Sequence, residues 1–159
     1  MADLTYDISA RRLYGKLDDT SFDIVAVSGG RAGSTTPGAV DPSLANNPFR
    51  TRQKESTTKK GGPIPPGLYG MKATHPLNSF KRIVLTPDAS NDMSAEGGGT
   101  RGGFLIHPRG PIGSQGCIVP MNASDFADLW QAVRDNDGGT LEVKIGVKAI
   151  NDEAGPAYV

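Results

Sequence analysis

The sequence predicts a mainly β fold, and three observations carry that expectation. Apolar and polar residues alternate with a period of two in several short segments. Glycine and proline are abundant, 21 and 12 among 159 residues, which suits many tight turns better than a helical bundle. A single segment carries a helical period.

Taken in order, Leu4, Tyr6 and Ile8 alternate with Thr5, Asp7 and Ser9, and Leu13, Gly15 and Leu17 with Tyr14 and Lys16. Asp18-Asp19 supplies turn residues, and Phe22, Ile24 and Ala26 alternate with Asp23 and Val25. The result is an antiparallel meander that Ser28-Gly29-Gly30 ends. Residues 31–62 show no period and are expected to form one long functional loop or lid, or to be disordered. Its basic residues Arg50, Arg52, Lys54, Lys59 and Lys60, set against Glu55, read first as a solvated face and second as a seat for an anionic ligand.

Gly61-Gly62-Pro63-Ile64-Pro65-Pro66-Gly67 is a rigid turn into a strand at 68–73, and a further strand is expected at 80–85. Gly97-Gly98-Gly99 opens a loop before a short strand at Phe104-Leu105-Ile106. Ser124 can cap a helix in which Phe126, Leu129, Trp130 and Val133 form one apolar stripe, read as core, and Asp137-Gly138-Gly139 ends it. The last strand is expected at 141–148. The tally is six or seven strands and one helix, in a single domain over 1–159.

Composition excludes several functions. With 17 basic and 17 acidic residues the formal charge is zero, so neither a nucleic acid nor a membrane surface is an expected partner. No run approaches the roughly 18 apolar residues that span a bilayer, and Met1–Asp7 lacks the basic and apolar regions of a signal peptide. Synthesis in the cytoplasm is expected. His75 and His107 stand far from each other, so no zinc spacing exists; no glycine run continues into Lys-Ser or Lys-Thr; no cofactor or metal is expected. His75, before a proline, reads as a surface residue.

The chemistry concentrates in residues 102–118. Cys117 is the sole cysteine and can form no internal disulfide, and His107 ends an apolar run ten residues earlier. This is a candidate thiol–imidazole pair, with a base placed to take the proton of a weakly acidic nucleophile. The alternative is a buried structural cysteine beside an incidental histidine. Gly116 leaves the sulfur's approach bare, and the N–H groups of Gly116 and Cys117 can face a developing oxyanion. Ser114 does not stand in Gly-x-Ser-x-Gly, so Cys117 is the better nucleophile.

Phe104-Leu105-Ile106-His107, a glycine-containing loop and Ser114-Gln115-Gly116-Cys117-Ile118 resemble the catalytic motif of L,D-transpeptidases of the YkuD-like fold. Tyr6–Ser9 through Val27–Gly30 is similar to that family's opening hairpin. Gly62–Tyr69 is similar to its Pro-x-Gly-x-Tyr/Phe element. Asn46-Asn47-Pro48, Leu85-Thr86-Pro87-Asp88 and the Gly103-Phe104-Leu105-Ile106-His107 run look closest to a branch of that family, antibacterial effectors delivered by type VI secretion, and the likeness spans about residues 4–148.

Two departures stand out. Gln115 replaces the family's second histidine, and Ile118-Val119-Pro120 follows where Ile/Val-Arg is frequent. Substrate positioning must then pass to Arg101, Arg109 or another residue.

The resemblance implies a β-sandwich or open barrel and acyl transfer on peptidoglycan stem peptides, by carboxypeptidase action, by exchange of the terminal D-alanine or by cross-linking. Cys117 would be the nucleophile and His107 the base. Ser114, Gln115 and Gly116 would shape the oxyanion site, and Arg101, Arg109 and Tyr69 would contact substrate. It also implies a cognate immunity protein and secretion-apparatus components as partners, and action in the periplasm of a target bacterium. Two other readings remain: a papain- or NlpC-like cysteine peptidase or amidase, which would place Cys before His, and a non-catalytic cell-wall-binding module.

Overall fold

A computed structural model of the protein describes residues 2–30, 39–54, 60–110 and 113–146. The first three alternating segments become strands β1 (Leu4–Asp7), β2 (Arg12–Leu17) and β3 (Thr20–Ser28), and the strands expected at 68–73 and 80–85 become β4 (Gly67–Thr74) and β5 (Arg82–Pro87), the latter set two residues later. They are joined by β6 (Leu105–Ile106), β7 (Ile118–Pro120), helix α1 (Ala123–Asp135) and β8 (Gly139–Lys144). The strands close into a barrel in the order β1-β2-β3-β7-β6-β5-β4-β8, so the fold is mainly β, with one helix among the described residues.

Closure replaces the expected sandwich or open barrel, and apolar register explains it. β1 and β8 run parallel with Leu4 opposite Leu141 and Tyr6 opposite Val143, all buried. An open sheet would leave those side chains and their backbone groups on two unpaired edges. The interior is filled by one residue in two from each strand, including Leu13, Ile24, Tyr69, Met71, Ile83, Leu85, Ile106 and Ile118.

Helix α1 lays Phe126, Leu129, Trp130 and Val133 into that same core, as its 3.6-residue period predicts. Its cap differs from the expectation: Asn122, not Ser124, is the N-cap, and its side chain accepts from the Ser124 amide at 2.8 Å and hydroxyl at 2.6 Å. Ser124 therefore satisfies the cap from inside the first turn. The Trp130 indole N–H donates to the carbonyls of Thr74 and Arg82, fastening the helix to β4 and β5.

β7 is the strand the alternation does not foretell, because all three of its residues are buried. The stretch 31–62 also departs from a structureless loop. Pro42–Leu44 forms a 3₁₀ turn capped by Asp41, and Val40, Leu44, Ala45 and Asn46 are buried. Residues 31–38 and 55–59 of that loop, with Lys59 and Glu55, and the end of the last expected strand at 147–148, lie outside the described residues.

Candidate active site

The short parallel pair β6–β7 sets the geometry. Its register places Ile106 beside Ile118, both fully buried, and the His107 amide donates to the Ile118 carbonyl at 3.1 Å. Successive residues of a strand face opposite sides. Ile106 and Ile118 turn into the core; His107 directly follows the last residue of β6 and Cys117 directly precedes the first of β7, each partly exposed.

The sulfur is half-buried and its surroundings favour the protonated thiol. Burial pushes the Cys117 pKa up; the Leu105 amide, the Ser114 side chain, the Cys117 amide and the charge of Arg101 pull against it and do not prevail. The Leu105 N–H points at the sulfur at 3.3 Å. A thiol held this way needs a base to become a nucleophile at neutral pH. The ring of His107 is oriented by the backbone beside it. Its Nδ1 lies 2.7 Å from the carbonyl oxygen of Pro108, and since a carbonyl only accepts, Nδ1 carries the proton and Nε2 is the basic nitrogen. The sequence names no group that orients His107; the structure supplies this backbone carbonyl. The edge of Phe80, an exposed aromatic, meets the imidazole with ring centroids 6.0 Å apart.

Behind Cys117 the loop is fixed on every side. Gly116 has φ +137°, and a Cβ there would run into the Phe104 ring and approach Arg101 Nη2 to 2.9 Å. The Gly116 carbonyl accepts from Ser28 Oγ at 2.7 Å, and Ser28 Oγ in turn accepts from the Ile64 amide at 2.9 Å. Buried Asn46 takes the Ser28 amide on Oδ1 and donates through Nδ2 to the Tyr6 hydroxyl and the Ile8 carbonyl. Ser114 is buried too. Its hydroxyl donates to the Cys117 carbonyl at 2.8 Å and accepts from the Gly116 amide at 3.2 Å. This corrects one expectation: the Gly116 N–H is already engaged, and the Cys117 N–H is the amide left beside the sulfur.

Arg101 is also placed differently from a substrate contact. Its guanidinium is buried and donates to four carbonyls: Thr51 and Pro63 at 2.6 Å, and Gly62 and Gln115 at 3.0 Å. It is the clamp that ties the 50s segment, the Gly62-Pro63 turn and the cysteine loop together. Tyr69 faces inward as well, donating its hydroxyl to the Pro65 carbonyl at 2.7 Å, and does not reach the surface. Burial has raised its pKa.

The Gln115 side chain is exposed at the mouth of the cysteine loop. Arg109 is exposed and lines a small hollow of about 30 Å³ with Val119 and Met121, on the outer side of β7. Residues 111–112 of the loop between His107 and Cys117 lie outside the described residues. His75 is exposed, as its position before a proline suggests.

Ser28, Asn46, Leu105 and Phe80 are the contributors that residue-by-residue reading misses. Their parts are set by contacts across 12 to 88 residues of sequence, which leave no local pattern. No cluster of three metal-ligating side chains occurs among the described residues, and no helix there is long and apolar enough to cross a membrane.

The chain is similar to a known family over more than half its length: the Tlde1 domain model matches residues 45–141. No curated protein and no solved structure matches it. The matched region holds Asn46, Arg101, His107 and Cys117, whereas β1–β3, which close the barrel and supply Tyr6 and Ser28, precede it.

Proposed function

This chain belongs to the Tlde1 domain family, type VI secretion effectors of the L,D-transpeptidase kind, and from that premise we propose that it carries out cysteine-dependent acyl transfer on peptidoglycan stem peptides. The observation that supports this reading best is the pairing of β6 with β7, which sets His107 directly after one strand and Cys117 directly before its neighbour, with Nδ1 of His107 2.7 Å from the Pro108 carbonyl oxygen.

In the proposed reaction the Cys117 sulfur attacks the carbonyl of the third, L-centred diamino acid, and Nε2 of His107 takes the thiol proton. The carbonyl oxygen becomes an oxyanion within reach of the Cys117 N–H; one such donor contributes on the order of 3 kcal/mol in better-studied hydrolases. Collapse breaks the amide bond, His107 returns the proton to the departing nitrogen, and D-alanine leaves. The remaining tripeptide is a thioester on Cys117. His107 then deprotonates the acceptor: water gives carboxypeptidase action, a D-amino acid gives exchange, and a neighbouring stem's amine gives a cross-link. Each restores the free thiol. Trimming or exchange would deprive D,D-cross-linking enzymes of their donors.

The same reading makes the target cell's periplasm the place of action, with an immunity protein guarding the producer and a secretion apparatus delivering the chain. Fusion to a Sec signal should make the protein toxic, with swelling or lysis, and Cys117→Ala should abolish that toxicity. Toxicity that survives loss of the thiol overturns the reading. In vitro, Cys117→Ala should fold like the parent, since the change in volume is small, and should release no D-alanine from tetrapeptide stems. Release at the parental rate removes Cys117 from the chemistry.

A further inference from the structure

Beside the cysteine loop lies an open groove of about 320 Å³ whose lining includes Gln53, Lys54, Thr100, Arg101, Phe104 and Gln115. Its chemistry is one-sided. The lining holds two cations and no carboxylate, and its remaining polar side chains are a hydroxyl and two amides. The two cations differ in state. Arg101 spends its donors on four backbone carbonyls at the groove floor, so its charge is present but its hydrogen bonds are committed. Lys54 is exposed and has no carboxylate within ion-pair distance among the described residues.

The Lys54 side chain lies beside Gly97: a Cβ there, where φ is +82°, would stand in ordinary contact, 3.6 Å from Lys54 Cδ and 3.8 Å from Nζ. Gln115, two residues before Cys117 in the sequence, is the lining residue that belongs to the cysteine loop.

We propose that this groove is the subsite for an anionic group of the donor stem peptide, a carboxylate, with Lys54 as its counter-charge and Thr100 and Gln115 as neutral hydrogen-bond partners. Phe104 gives it an apolar floor for an alkyl chain. The assignment rests on the acyl-transfer reading above and adds to it the residue that recognises the donor. It also gives the basic run at 50–60 a specific member that meets ligand. A stem tetrapeptide offers carboxylates at its C-terminus and within its second and third residues, and the groove's chemistry is common to all of them.

The test is calorimetric binding of a disaccharide-tetrapeptide to Cys117→Ala, in which no turnover occurs. Lys54→Met and Lys54→Arg are then introduced into that background. The tetrapeptide is supplied in its natural form and in forms amidated at one carboxylate at a time. Lys54→Met should weaken binding about tenfold, in keeping with a charge-assisted bond at a partly solvated site, and Lys54→Arg should recover most of the loss. One amidated ligand should bind the Cys117→Ala background as weakly as the natural ligand binds Lys54→Met. That ligand should be indifferent to the lysine, which identifies the carboxylate. Equal affinity of Lys54→Met and its background for every ligand overturns the subsite and leaves acyl transfer standing. Absence of binding by Cys117→Ala, together with no D-alanine release by the parent protein, overturns both.

Discussion

The loop that presents Cys117 and the glycine loop at 97–103 both border the same groove, and they are built in opposite ways. Gly116 is surrounded: Phe104, Arg101, Ser28 and Ser114 fix its α-carbon, carbonyl and amide. Gly98, Gly99 and Gly103 also have positive φ, yet a Cβ at any of them would meet nothing within 4 Å. In the first loop glycine is required because other groups occupy the space; in the second it is required by backbone conformation alone. Rigidity behind the sulfur and openness in front of it would suit the nucleophile proposed above, held still while a bulky polymer is admitted.

That contrast can be broken by substitution. The largest effect is expected from Gly116→Ala, where a new methyl group overlaps the Phe104 ring in a backbone conformation that alanine avoids. D-alanine release should fall at least about a hundredfold, and the urea midpoint should drop by the equivalent of about 1–3 kcal/mol, the usual cost of overpacking. A Gly116→Ala protein as active and stable as the parent would mean that the enclosure has no consequence.

Arg101→Met comes next. It strips four carbonyls of a shared charged donor, each such bond contributing roughly 1.5–3 kcal/mol. The expected outcome is a destabilised protein whose surviving folded fraction has lost kcat more than KM. Arg101→Lys should recover little, because an ammonium has three donors and no planar fork. A folded Arg101→Met variant with normal kcat and a raised KM would return Arg101 to the substrate-binding role.

A third effect concerns pH. Burial favours the neutral thiol of Cys117 and so raises its pKa. The thiolate is therefore scarcer at neutral pH than in a free cysteine, and it accumulates only as pH rises above the ordinary thiol range of about 8.5. Iodoacetamide alkylation of the parent protein should follow that alkaline inflection, and His107→Ala should slow it further at pH 7. An inflection below that of free cysteine would contradict the account of the sulfur's surroundings. The smallest effect belongs to the open loop: Gly99→Ala should cost on the order of 1 kcal/mol through its φ of +76° and leave D-alanine release within about twofold.

The sequence makes the parts governed by period legible and hides those governed by distant bonds. β1 to β3, β8 and α1 follow from alternation and from the Phe126, Leu129, Trp130, Val133 stripe, because side-chain direction there is set by the element's own geometry. β7 is three residues long and buried throughout, so it shows no alternation to read. Its absence from the expected strands leaves the parallel pairing with β6 invisible, and with it the geometry relating His107 to Cys117. The same limit explains Arg101 and Tyr69. Residue type suggested two surface contacts, but the carbonyls that turn Arg101 inward come from segments up to 50 residues away. Asn46 drew notice only as part of a motif. Its hold on Tyr6, Ile8 and Ser28 depends on the closed barrel.

The central claim is that Cys117 becomes the acyl carrier, and intact-mass spectrometry of the protein quenched in acid during reaction with a tetrapeptide stem tests it most directly. The account predicts a transient adduct on Cys117 equal to the stem less D-alanine. The adduct should be labile to hydroxylamine as a thioester, absent from Cys117→Ala, and accompanied by free D-alanine. D-alanine release with no covalent intermediate under rapid quench, or with an adduct on any other residue, would contradict it.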